Sequence, residues 1–100
     1  MIARRWHGRV PASKADEYLE LMAVVGLPDY RSTQGNRGAW CLYRHEDDIV
    51  HVEMFTLWDD EESIRRFAGD DIARAKYYDF DRGFLLELEP EVIHFEVIES

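Results

Sequence analysis

Four stretches of the chain alternate apolar and polar side chains with period two, and others carry apolar residues at helical spacing. The longest alternating stretch, Asp48–Trp58 (DIVHVEMFTLW), holds no Gly or Pro and is rich in Ile, Val, Phe and Trp, which predicts a long central strand. Its faces are Ile49, His51, Glu53, Phe55, Leu57 and Val50, Val52, Met54, Thr56, Trp58. Neither is wholly polar. Both should therefore be covered, one by helices of the same chain and the other by something else.

Ile2 to Val10 predicts a first strand, ended by Pro11. Ser13 and Asp16 approximate a capping box, and Ala15, Tyr18, Leu19, Met22 and Val25 make one stripe, so a helix is expected over about 13–25, stopped by Gly26 and Pro28. Residues 27–38 (LPDYRSTQGNRG) concentrate turn formers and predict a long surface loop. Ala39–His45 predicts a second strand, joined through Glu46-Asp47-Asp48 to the central one as a hairpin. Asp59 with Glu62 caps a second helix at about 60–68, burying Ile64, Phe67 and Ala68, and Gly69 ends it. Asp70 or Asp71 begins a short third helix that buries Ile72 and Ala75; Tyr77–Gly83 is an aromatic loop; Val92–Ile98 is the last strand.

The order strand, helix, strand, strand, helix, strand is the ferredoxin-like βαββαβ pattern of the α+β class. Right-handed crossovers give it an antiparallel sheet in the order 4-1-3-2. Two helices cover one face. The other keeps enough apolar and aromatic side chains to predict a homodimer packed sheet against sheet. One hundred residues suffice for one domain, 1–100. The charge of −9, from 12 basic and 21 acidic residues, supplies no basic stripe for nucleic acid or an anionic membrane. Cys41 is alone, which excludes an internal disulfide and points to a small buried hydrophobe. MIARRWHGRV has no apolar leader core and no run approaches a membrane span, so a cytoplasmic protein is expected.

Leu57-Trp58-Asp59 before a helix, the ending EPEVIHFEVIES, and the stretches GLPDYRSTQGNRG and FAGDDIARAKYY together resemble the antibiotic biosynthesis monooxygenase-like proteins of the dimeric α/β barrel superfamily, in particular short bacterial members with no assigned reaction. The resemblance covers nearly the whole chain but carries no specific catalytic signature. It implies a dimeric α/β barrel with a pocket between sheet and helices in each subunit. It also implies either cofactor-free oxygenation of phenolic or quinol substrates or haem degradation. Haem-degrading relatives use an Asn on the first strand, a Trp on the second helix and a His after it. Here the first strand has no Asn, Phe67 stands in the Trp region, and Ala75-Lys76-Tyr77 occupy the His region.

Four histidines are present, and three of them, His7, His51 and His94, are expected at one end of the sheet. There they could share a face as a proton-moving centre, or as three zinc ligands, if the register allows. His51 and His7 are the candidate catalytic bases, with His94 beside them at the substrate. Trp6, Trp40, Trp58, Tyr77 and Tyr78, with Phe80, are candidates for stacking on a flat aromatic substrate, with Tyr77 and Tyr78 on the loop expected to act as a lid. No Ser/His/Asp spacing, phosphate loop or Cys/His metal pattern occurs, and no metal or organic cofactor is expected. The reading is a cofactor-independent monooxygenase for a small phenol or quinol; its alternative is a non-catalytic, small-molecule-binding or stress-associated dimeric module.

Overall fold

The computed structural model describes residues 1–100. Strands β1 (Ile2–Pro11), β2 (Asn36–Glu46), β3 (Ile49–Trp58) and β4 (Ile93–Glu96) form one antiparallel sheet in the order β2-β3-β1-β4, the expected order. The helical segments α1 (Ala15–Leu21), α2 (Leu27–Arg31) and α3 (Glu61–Ala68) complete a four-stranded α+β arrangement compatible with a ferredoxin-like fold. No helix is long and apolar enough to cross a membrane.

The first helical stretch differs from its expected form. It does not stop at Gly26; it runs from a 3-10 turn at Ala12–Lys14 through α1, a π-helical turn at Met22–Gly26, and α2. The wide turn inserts one residue, so the buried stripe passes from Ala15, Tyr18 and Met22 to Gly26 and Tyr30, leaving Val25 exposed. Pro28 is tolerated because it falls in the first turn of α2, where its missing N–H matters least. The expected twelve-residue loop therefore shrinks to residues 32–35, and β2 starts at Asn36 with a bulge before Gly38. Gly35 has φ of 93°, and a Cβ there would lie 1.9 Å from the Ser63 hydroxyl of α3. Gly35→Ala is expected to lower stability by about 2–3 kcal/mol, from backbone strain and overpacking together. A urea midpoint within error of wild type would remove Gly35 from the list of required contacts.

Asp60, not Asp59, caps α3: its Oδ1 accepts from the Ser63 backbone N–H at 2.9 Å and from the Ser63 hydroxyl at 2.7 Å. Asp59 pairs instead with Arg37. The short helix expected after Asp70 is absent. Those residues spend their backbone groups on the chain ahead of β4, Ala75 N–H donating to Pro90 O and Val92 N–H to Ala73 O at 2.9 and 2.8 Å. The last strand is correspondingly shorter than expected. A 3-10 turn forms at Asp79–Gly83 instead.

The core lies between sheet and helices. Val10, Val50, Val52, Met54 and Trp58 from the sheet meet Tyr18, Met22, Tyr30, Ile64 and Phe67, with Tyr30 stacked on Phe67 at 4.3 Å between ring centres. Not every polar group inside is matched: Arg4 Nε, Trp6 Nε1 and His94 Nε2 have no hydrogen-bond partner, whereas Asp81 has two. Tyr18 donates to Asp81 Oδ1 at 2.8 Å and the Tyr78 N–H to Asp81 Oδ2 at 2.6 Å, although burial raises the Asp81 pKa.

Asp29 on α2 accepts from Lys76 Nζ at 2.8 Å and from the Tyr78 hydroxyl at 2.6 Å, pinning the segment after α3 to the first helical stretch. Burial pushes the Asp29 carboxyl up, but the Lys76 and Tyr78 hydrogen bonds together hold it below its ordinary value. A depressed carboxylate stabilises the fold above its unfolded pKa, and that contribution disappears as pH falls through the folded value. Asp29→Asn should thus melt below wild type at neutral pH, with the gap closing only as pH falls below the ordinary carboxylate range. A gap independent of pH would show that the charge is not what matters.

Candidate functional site

The uncovered face of the sheet holds the chemistry. In the observed register His7 pairs with Glu53 and Arg9 with His51. His7 and His51 are thus diagonal neighbours on adjacent strands, within reach of one another. Both point away from the helices. His7 Nε2 lies 3.0 Å from His51 Nδ1, with the rings stacked at 5.3 Å. His7 Nδ1 lies 2.6 Å from Glu89 Oε2, and His51 Nε2 lies 3.1 Å from Glu46 Oε1. The result is an unbroken chain of carboxylate, imidazole, imidazole, carboxylate.

Each member is held by a different element. The β2–β3 hairpin turns at Asp47, whose φ of 53° suits an Asp in a tight turn, and so brings Glu46 opposite Ile49 beside His51. Glu89 sits on the strip that follows the 3-10 turn. Leu86 N–H donates to Arg9 O at 2.9 Å, and the Tyr77 hydroxyl donates to the Glu89 carbonyl, so the strip lies along β1 and aims its carboxylates at it. Glu87 uses the same strip to reach Arg9, at 2.6 Å. Hydrogen bonding by His51, then by Arg44, keeps the Glu46 carboxyl below the ordinary carboxylate range.

Beside the pair is an open hollow of about 300 Å³ lined by His7, Leu42, Tyr43, Arg44, His51 and Glu53. The space between sheet and helices is much smaller. It measures about 10 Å³, near the limit for one water, so the pocket that the family resemblance implies there is filled in this chain. Trp6, Tyr18, Met22, Tyr30 and Met54 fill it.

The three histidines do not converge. β4 enters the sheet with Ile93 opposite Arg5, which sets His94 opposite Arg4 and on the helix-covered face, away from His7 and His51. Burial and the nearby Arg4 guanidinium lower the His94 pKa, in that order. A three-histidine metal centre is excluded by this geometry, and no three His, Cys, Asp or Glu side chains are grouped as a metal ion would need.

The aromatic candidates scatter as well. Trp6 and Trp58 are core residues, 4% and 0% exposed. Tyr77 and Tyr78 are tied down by Glu89 and Asp29 and form no free lid. Trp40 alone lies on the open face, 6.2 Å from Phe55. Cys41 is half-buried on the covered side, where burial raises its thiol pKa.

Sequence reasoning missed Glu46, Glu53, Arg44 and Glu89. The first three carry a legible signal, since Trp40, Leu42, Arg44 and Glu46 share one face of β2 by alternation and Glu53 shares one of β3 with His51. Glu89 carries none, because an irregular strip has no period to read. No family model matches this chain, and no curated protein compared with it is significantly similar.

Proposed function

We propose that the protein is a homodimer packed through the open face of its sheet as a dimeric α/β barrel. In this reading the Glu89–His7–His51–Glu46 chain is the base of a cofactor-independent monooxygenase acting on a small phenol or quinol. The observation that carries the proposal is that chain, bordering a hollow of about 300 Å³. Volumes of this order suit small ligands. Leu42, with the Trp40–Phe55 pair nearby on the same face, offers an apolar and aromatic flank for a ring.

The dimer is supported by exposure and charge. Trp40, Leu42, Ile93 and Phe95 on this face are all 46–49% exposed, an apolar patch of the kind that marks an interface. Arg5, Arg9 and Arg44 alternate with Glu46, Glu53, Glu87 and Glu89 across the same surface. A two-fold axis matches such a surface to itself.

Counting hydrogens gives the pair its chemistry. With both imidazoles neutral, two hydrogens must serve three contacts, so one contact faces lone pair to lone pair. That contact falls most easily at Glu46, the more exposed of the two carboxylates at 56% against 38%, which leaves the His51 Nε2 lone pair as the proton acceptor. His51 then takes the phenolic proton, and all three contacts are satisfied as the charge is shared with His7 and faced by two carboxylates. The activated ring carbon reacts with O₂. The resulting hydroperoxide loses water, so one oxygen atom stays on the product, the other leaves as water, and both hydrogens of that water come from the substrate. The product is a quinone.

The test is oxygen uptake by the purified protein with simple phenols and hydroquinones in the presence of chelator. Substrate-dependent uptake that is lost with His51 supports the proposal. Binding without uptake would favour the non-catalytic dimeric module, a reading to which the filled interior also lends weight.

A further inference from the structure

We infer that association of the two sheets is linked to proton uptake, one proton per subunit, taken by the His7–His51 pair; this rests on the dimer reading above. Three observations lead to it. First, the three contacts along Glu89, His7, His51 and Glu46 need three ring hydrogens, one more than two neutral imidazoles carry. Second, the open face holds three arginines, Arg5, Arg9 and Arg44, against four glutamates, Glu46, Glu53, Glu87 and Glu89. One shared proton brings that face to neutrality, whereas without it a two-fold interface buries a surplus negative charge from each side. Third, the solvent now compensates both defects. The Glu46 and Glu89 side chains are 56% and 38% exposed, so a carboxylate facing a ring lone pair can turn to water. A second sheet laid over them removes that escape.

The groups facing the pair come from every neighbouring element: Arg5 and Arg9 from β1, Arg44 and Glu46 from β2, Glu53 from β3, and Glu87 and Glu89 from the strip along β1. Each arginine lies within 4 Å of one of these glutamates, and although Arg9 and Arg44 stand opposite His51 in the register, they donate to Glu87 and Glu46 and not to an imidazole. The sign follows. The dimer binds more protons than the monomers, so it is favoured at low pH and weakens as pH rises through the range in which imidazole loses its charge. Turnover runs the other way, because a pair that already holds the third hydrogen cannot accept the substrate's. The enzyme would thus work best where the two trends cross.

The experiment is sedimentation equilibrium of the full chain between pH 6 and 8.5 at several protein concentrations, on wild type, Glu46→Gln and the His7→Gln/His51→Gln double variant, each checked for native circular dichroism. The wild-type dimer constant should weaken with pH by up to about 100-fold per unit at its steepest, the slope for two protons per dimer. The double variant should lose that slope, and Glu46→Gln should reduce it by removing one of the carboxylates that demand the proton. A dimer whose constant is flat with pH, or whose slope persists in the double variant, overturns the linkage and leaves the dimer standing. A monomer at every pH and concentration overturns the dimer reading itself.

Discussion

His51→Gln is expected to lower substrate-dependent oxygen uptake by about 10²- to 10⁴-fold, the usual contribution of a positioned general base. Glutamine keeps hydrogen-bonding capacity and similar bulk but cannot accept a proton at neutral pH. The backbone pairing of β3 with β1 and β2 does not involve the ring, so the sheet should persist. His7→Gln should have a smaller effect of a different kind. His7 bonds the Nδ1 side of His51 and relays its charge toward Glu89 at 2.6 Å, so its loss should change the pH profile of turnover more than substrate affinity. His45, exposed between Arg44 and Glu46 but on the opposite face of β2, provides the control: His45→Gln should leave uptake as in wild type. Full activity in His51→Gln would dismiss His51 as the base, and equal losses in all three variants would point to a general effect of histidine removal.

Trp58→Ala should be the most damaging single change to the fold. Trp58 ends β3 with no solvent exposure, its ring tilted against Phe67 at 5.8 Å and edge-on to Tyr30 at 6.4 Å. Its Nε1–H donates to Thr56 Oγ1 at 2.8 Å, and that hydroxyl donates in turn to the Arg4 carbonyl at 3.3 Å. Truncation leaves a large cavity where sheet, α2 and α3 meet, at a cost of about 3–5 kcal/mol. Domains of this size hold only about 5–15 kcal/mol in total, so this single change removes a large share of the stability. Trp58→Phe keeps the ring contacts and forfeits the hydrogen bond, for about 1 kcal/mol. Urea denaturation of the pair separates the two contributions, and a loss below 1 kcal/mol for Trp58→Ala would mean the site collapses around the gap far better than its neighbours suggest.

Much of this protein was determined by the sequence alone. Strict alternation through DIVHVEMFTLW defined β3 and both of its faces, because a strand buried on one side must repeat every second residue. The hairpin at Asp47-Asp48, the stop at Gly69 and the strand order followed from turn chemistry and crossover handedness, which are local or nearly so. What escaped was whatever depended on contacts between distant residues. Gly26 and Pro28 read as a helix end until packing against the sheet favoured a π-turn that carries the helix through them. The short helix expected after Asp70 lost its backbone groups to residues 90 and 92.

Tertiary structure alone decided the site. Register separated His94 from the other two histidines, since a strand's side chains fall on one face or the other by a single residue of offset. Packing consumed Trp6 and Trp58 as core, because a filled interior is worth more to a 100-residue chain than a cavity. The irregular strip at Glu87–Glu89 has no periodicity by which it could be read, yet it supplies the carboxylate that completes the His7–His51 pair. The residue types were written in the chain; only the fold could bring residues 7, 46, 51 and 89 into one line.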